Sequence, residues 1–264
     1  MIAGYEDARR VAKRGEHLQV LERKVAGTED DVGPTFDTHT EGQRLHDLVG
    51  HRQHTNHACQ VTGPVSAATT VGAVSDAVTD RISEFLGERM STQPQRASVT
   101  FLGVEPIEVL RFAGGDDVVY VTLGCARHPM SEPSDLHADP VTGPRAEVVV
   151  RLHASTPLPG LHKRMATVAA APAVEGLILA PDALVDLSEP VWDGAAPTAL
   201  LLELDDLGDL VLPEPMDPVR FLRAVPITAN EAAWVRLKGA DALREAWREA
   251  GIDVMSPERA AAKL

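Results

Sequence analysis

Cys125 and His128 stand at the end of an apolar run, VVYVTLGCARH, and a thiol near an imidazole is the minimum set for nucleophilic catalysis by sulfur. Attack requires the thiolate, so the imidazole must lie within hydrogen-bond reach and a third group must orient it. No third member is identifiable, and a small hydrophobe closing a strand is the simpler reading of Cys125. A cysteine-dependent enzyme using Cys125 and His128, a thiol hydrolase or redox protein, is therefore the alternative and not the main expectation. His51, His54 and His57 recur at a regular spacing, with His46 before them and Cys59 after. Imidazole plus thiolate suits zinc, but the spacing is neither CxxC nor HxxxH. We read an adventitious histidine-rich segment, with a metal-binding regulator as a further alternative; no metal or other cofactor is expected.

Glu132, Asp135 and Asp139 lie in the loop ARHPMSEPSDLHADPVTGP. Carboxylates that work as a hydrolytic pair need a defined separation, which a loop does not fix. They read instead as solvated charge beside Arg127 and His128, on a surface that can meet a protein. Asp205, Asp206 and Asp209 fail the calcium-loop pattern and read as a turn. No Walker loop, GxSxG, HExxH or dinucleotide fingerprint occurs. Trp234 and Trp247 fit the core of terminal helices, whereas Trp192, between Pro190 and Gly194, is a candidate for a binding surface. The candidate protein-binding residues are thus Arg127, His128, Glu132, Asp135, Asp139 and Trp192, with no catalytic, cofactor or metal residue assigned.

Two strands must position that loop. Before it, Val118 to Cys125 is apolar or small on both parities, as in a strand covered on both faces at the centre of a sheet. After it, Ala146, Val148, Val150 and Leu152 alternate with Glu147, Val149, Arg151 and His153, the period of a strand. The loop holds four prolines and cannot continue either strand. Further on, VRFLRAVPI predicts a strand, Thr228 and Glu231 have the spacing of a capping box, and Gly239 divides two helical pieces, the second closed by Gly251. Ser256 and Pro257 fit the start of a last short helix.

Upstream of the first strand, Val78, Ile82, Phe85, Leu86 and Met90 form a helical stripe that Ser75 or Asp76 can cap. ASVTFLGV and PIEVLRF predict two strands broken at Glu105 and Pro106, and Gly114 to Asp117 a turn. A short helix from Leu161 ends near Pro172, and residues 176 to 189 and 197 to 204 predict strands. Strands and helices mix without regular βαβ alternation, so the fold class is α+β, a mixed, largely antiparallel sheet flanked by helices. Residues 5 to 25 can form a helix, but from Gly27 to Ala73 apolar residues are too sparse to offset chain entropy. We expect residues 1–74 to be a disordered, histidine-rich extension, holding six of the ten histidines, and residues 75–264 to be the folded domain.

Formal charge is −14, from 25 Lys and Arg against 39 Asp and Glu, and residues 75–264 carry −12 of it. Such a surface repels nucleic acid and anionic lipid and attracts basic protein. Neither a membrane span nor a signal peptide is legible, which makes a cytoplasmic location the expectation. Cys59 and Cys125 fall in segments of different character, so a disulfide is not expected.

VVYVTLGCARHPM followed by RAEVVVRL, and VRFLRAVPITANEAAWVRLKGADALREAW, together resemble the suppressor of fused family over about residues 97–262. The resemblance rests on the order and spacing of core patterns. It implies the α+β domain of the family's N-terminal half, in its bacterial single-domain form, without the second domain of animal members. Animal members regulate Hedgehog signalling by binding a transcription factor, and bacterial ones have been proposed as immunity or adaptor proteins. The resemblance therefore implies a non-enzymatic module that neutralises or regulates a protein partner. It assigns no functional residue.

Overall fold

The computed structural model describes residues 67–135 and 138–264, with side-chain burial described from Asp76 onward. The expected helix at 5–25 and the His46, His51, His54, His57 and Cys59 set lie outside the described residues, as does the expected extension as far as residue 66. Helix α1, Ala67–Arg89, begins inside that extension, so Ser75 and Asp76 are interior to the helix and do not cap it.

Seven strands follow: β1 Gln95–Phe101, β2 Val104–Gly114, β3 Asp117–Leu123, β4 Arg145–Leu152, β5 Leu184–Asp186, β6 Ala199–Leu204 and β7 Val219–Ile227. They form one sheet in the order β1-β2-β3-β4-β7-β6-β5. The β4–β7 pair is parallel and every other pair antiparallel, an α+β sheet as expected. The middle strand is β4, with β3 beside it. Gly103, at φ +80°, carries the turn between β1 and β2, a conformation that costs glycine little. Pro106 is thus inside β2 and not at the break. It precedes the first β2–β3 pair, Glu108 with Leu123, and lies beside a register shift in β1, where no ladder amide is needed.

Alternation along the strands divides the core into layers. Ala146, Val148, Val150 and Leu152 of β4 pack with Leu161, Met165, Ala166 and Ala169 of α2, Leu161–Glu175, on one face. On the other face Val149 and Phe221 pack under Val78, Ile82, Phe85 and Leu86 of α1. The Phe85 and Phe221 rings stack with centroids 5.2 Å apart. Farther along that face, Leu201, Val225 and Ile227 bury Ala232 and Val235 of α3, Ala229–Lys238, and Leu243 and Trp247 of α4, Ala240–Glu249. Helix α2 runs past Pro172 to Glu175, and residues 176 to 189 yield only the three-residue strand β5.

The capping box forms as the spacing requires: the Glu231 amide donates to Thr228 Oγ1 at 3.4 Å, and the Thr228 amide donates to Glu231 Oε2 at 2.9 Å. Glu231 does more than cap. Its fully buried carboxylate accepts from Trp247 Nε1 at 2.9 Å, from Arg259 and from the Ala262 amide. Burial alone would raise its pKa, but Arg259 and the donors around it carry it down to about 2. Residues 256–262 are therefore strapped to α3 and α4 in turns, and the helix expected at Ser256 and Pro257 does not form.

Candidate protein-binding site

The loop between β3 and β4 is built on two charged residues of β4, Arg145 and Glu147, both almost wholly buried. Immediately after β3 the chain makes a single turn of 3-10 helix, Cys125–Arg127. Glu147 Oε1 accepts the amides of Gly124 and Ala126 at 2.9 and 3.1 Å, and its Oε2 accepts the Thr122 hydroxyl at 2.6 Å. From the other side, Arg145 Nη1 donates to the carbonyls of Ala126 and Arg127, both at 2.8 Å. Its Nη2 reaches the Val141 carbonyl at 2.9 Å. One carboxylate holds the amides of the turn and one guanidinium holds its carbonyls. Both ends of the loop are fixed from the interior. Burial pushes Glu147 up to about 7, against the hydrogen bonds from Thr122, Ala126 and Gly124, which lower it.

The loop is further pinned at Met130, Pro133 and Gly143. The Met130 amide donates to the Pro144 carbonyl at 2.8 Å, and the Gly143 amide to Asp217 Oδ2 at 2.6 Å. Pro133 packs on Gly176, where an added Cβ would come within 2.4 Å of its ring. Asp139 Oδ1 accepts the amides of Val141 and Thr142, and those bonds hold its carboxyl below the usual range. The side chain thus shapes the loop as well as charging it. Glu132, Asp135 and Asp139 are all exposed, with Ser134 Oγ donating to Glu132 at 3.3 Å.

The structure brings Arg127 and His128 together at Glu105, whose Oε2 lies 3.4 Å from Arg127 Nε and 3.8 Å from His128 Nε2. Arg127 is largely covered and donates to the Pro106 carbonyl at 2.6 Å, while His128 is half exposed. Trp192 departs from expectation. It is 7 % exposed and belongs to the apolar layer under α2, because Pro159 and Pro197 tie its neighbours inward through the amides of Asp193 and Val191. A binding surface cannot use it.

Cys125 is likewise interior. Its burial, and the neighbouring Glu147 charge, raise the thiol pKa well above the ordinary value, the opposite of what a nucleophile needs. His128 points its pairing toward Glu105 at the surface. Among the described residues no group of three or more His, Cys, Asp or Glu could hold a metal ion, and no helix is long and apolar enough to cross a membrane. The residues that build the site, Arg145 and Glu147, were not singled out by their spacing. Their one signal is an opposite-charged pair at alternate positions of an apolar strand.

A family model described as suppressor of fused protein matches residues 103–260. Among solved structures, a suppressor of fused homologue from Neisseria gonorrhoeae FA 1090 is 17% identical, with 72% of this chain and 97% of that chain covered and a TM-score of 0.49. A chain of the Sufu–Fu complex is 14% identical over 71% of this chain and 91% of its own, with a TM-score of 0.51. Drosophila Suppressor of Fused is 14% identical over 70% of this chain and 50% of its own, at 0.49. A search of curated proteins finds no match. The likeness to the Sufu–Fu chain is one of fold.

Proposed function

The chain belongs to the suppressor of fused family, and from that premise we propose that it is a non-enzymatic protein-binding module, an adaptor or immunity-type protein that neutralises or regulates a basic protein partner in the cytoplasm. The observation that carries this reading is the 126–144 loop. It presents Glu132, Asp135 and Asp139 to solvent, yet it is fixed at both ends by Arg145 and Glu147. A surface loop held in this way loses little further entropy when a partner docks. Complementary charge from the acidic body speeds encounter with a basic surface, and the fixed loop supplies register. The solved Sufu–Fu complex, in which a chain of similar fold is held with a protein partner, supports the class of function.

The test is affinity capture with the tagged full chain from native cell extract, followed by titration of the captured protein. Replacing Glu132 by Gln, Asp135 by Asn and Asp139 by Asn removes three charges and leaves acceptors for the loop amides. Affinity is expected to fall about tenfold at low salt and the salt dependence to flatten. Equal affinity of the variant and the parent would refute the loop as the contact surface. Cys125 is expected to resist thiol reagents until the protein is unfolded; rapid labelling of the folded chain would revive the enzyme reading.

A further inference from the structure

Along one face of the sheet, β7 presents Val219, Phe221, Arg223, Val225 and Ile227. Val219 and Phe221 belong to the layer under α1, and Val225 and Ile227 to the layer under α3 and α4. Arg223 stands between the two layers, belonging to neither the one under α1 nor the one under α3 and α4. Its cross-strand neighbours are Val149 on β4 and Glu203 on β6. Arg151 is the next β4 residue on that face. With Arg89 from the last turn of α1, and with Asp206, Leu207 and Met255, these arginines line an open cleft of about 500 Å³. Three guanidinium groups converge there in a chain whose net charge is −14.

Among the described residues, each guanidinium contacts the protein along one edge and leaves another without a partner. Arg151 donates from Nε and Nη2 to the two oxygens of buried Asp205, at 2.8 and 2.7 Å, so Nη1 remains. Arg223 Nε is 3.6 Å from Glu203 Oε1, and both of its Nη groups remain. Arg89 Nε donates to the Leu207 carbonyl at 3.2 Å while the group lies 3.7 Å over the Phe85 ring, and again both Nη groups remain. Donors positioned in advance lose little freedom when an anion arrives, and the planar fork matches a carboxylate in geometry. Asp205 and Asp206 offset part of the charge of the three arginines, and Glu203 is shared between Arg223 and Arg244, which lies 3.5 Å from its Oε2. A single negative charge fits such a site, and a phosphate dianion would meet the Asp205 and Asp206 carboxylates.

We propose that the cleft receives one carboxylate, the Glu or Asp side chain of a peptide segment in the protein partner, with an adjoining apolar side chain against Leu207 and Met255. The inference rests on the protein-binding reading and adds a selection rule to it. An acidic body attracts a basic protein, and the cleft then selects the segment that bears an acidic anchor.

The experiment is a titration of the 15N-labelled full chain with N-acetyl-leucyl-glutamyl-amide, its glutaminyl counterpart and inorganic phosphate, read at the arginine Nε–Hε signals. The expected result is a saturable shift of the Arg89, Arg151 and Arg223 signals with one midpoint for the glutamyl peptide alone. Arg89→Gln and Arg223→Gln are each expected to raise that midpoint about tenfold. Arg89 is exposed, so its variant remains interpretable even if Arg223→Gln perturbs folding. No saturable shift, an equal response to the glutaminyl peptide, or an equal response to phosphate would overturn the proposal. The two readings fail separately. A positive titration with no partner captured by the full chain removes the protein partner and keeps the carboxylate site. A flat titration, with capture unaffected by the two arginine variants, removes the cleft and keeps the partner.

Discussion

Glu147→Gln separates the electrostatic contribution of the loop anchor from its hydrogen bonding. The Glu147 carboxyl is fully buried and its pKa is displaced by that burial from an ordinary 4.5 to about 7. Because the folded state holds the proton more tightly than the unfolded one, the stability this group contributes is complete below about 4.5 and is lost as pH rises through about 7. Integrating the difference in bound protons from about pH 5 to about pH 8 gives a loss of about 2 to 3 kcal/mol. Glutamine keeps an oxygen for the Gly124 and Ala126 amides and presents its amino group to Thr122 Oγ1, which already accepts the Val148 amide at 2.8 Å. The variant therefore loses the titration and little of the packing. The assay is urea unfolding of both proteins across that pH range. His153, raised by its bond to Asp117 and by Asp253, also loses stability as pH rises, so the parent profile alone is not diagnostic. It is common to both proteins and cancels in the difference. The expected difference moves by about 2 to 3 kcal/mol in favour of the variant from the acid to the alkaline end. Parallel profiles would show that Glu147 does not titrate in this range and would refute the burial argument.

Two other perturbations test the remaining supports. Gly176→Ala adds a Cβ within 2.4 Å of the Pro133 ring at φ +67°, whereas Gly103→Ala, at φ +80°, meets open space. Both are expected to lose about 1 kcal/mol from backbone strain, and Gly176→Ala to lose more and to weaken partner capture by lifting the loop. Equal urea midpoints for the two would show that the Pro133 contact does not hold the loop. Glu231→Gln leaves the almost fully buried Arg259 without its counter-charge and is expected to cost about 3 kcal/mol near neutral pH. Glu231 is depressed to about 2, so the parent loses this contribution as pH falls from about 4.5 through about 2, and the two unfolding curves should converge there.

Where the chain's structure is set by near neighbours, it was readable. VRFLRAVPI is a strand with the expected bounds, Thr228 and Glu231 close the capping box, Gly239 separates α3 from α4, and Gly115 turns β2 into β3. Each depends on residues a few positions apart. Local sequence misleads where a distant partner decides the outcome. Pro106 reads as a strand break from its own sequence, but its missing amide matters only if a neighbouring strand needs it, and the register of β1 and β3 leaves it unneeded. Ser256 and Pro257 offer a helix start, but Arg259 is drawn to Glu231 and the segment follows that bond. Trp192, between a proline and a glycine, reads as available from sequence, but long-range backbone bonds turn its neighbours inward.

The charged residues on the inner faces follow one physical rule. A charge in an otherwise apolar strand row is tolerated only where backbone groups, a counter-charge or solvent reach it. Glu147 meets the first condition, because the turn at Cys125–Arg127 folds back over it and offers its amides. Arg145 meets it from the opposite side, through the carbonyls of the same loop. Arg223 meets the other two, because α1 and α3 cover different ends of β7 and leave its middle open beside Glu203. Periodicity identifies such residues as anomalies without saying which condition each satisfies. In this domain the anomalies on β4 mark the loop proposed to touch the partner, and those on β4 and β7 together mark the cleft proposed to select it. The charged residues at inward strand positions are therefore the place to begin when a core pattern is legible and its function is not.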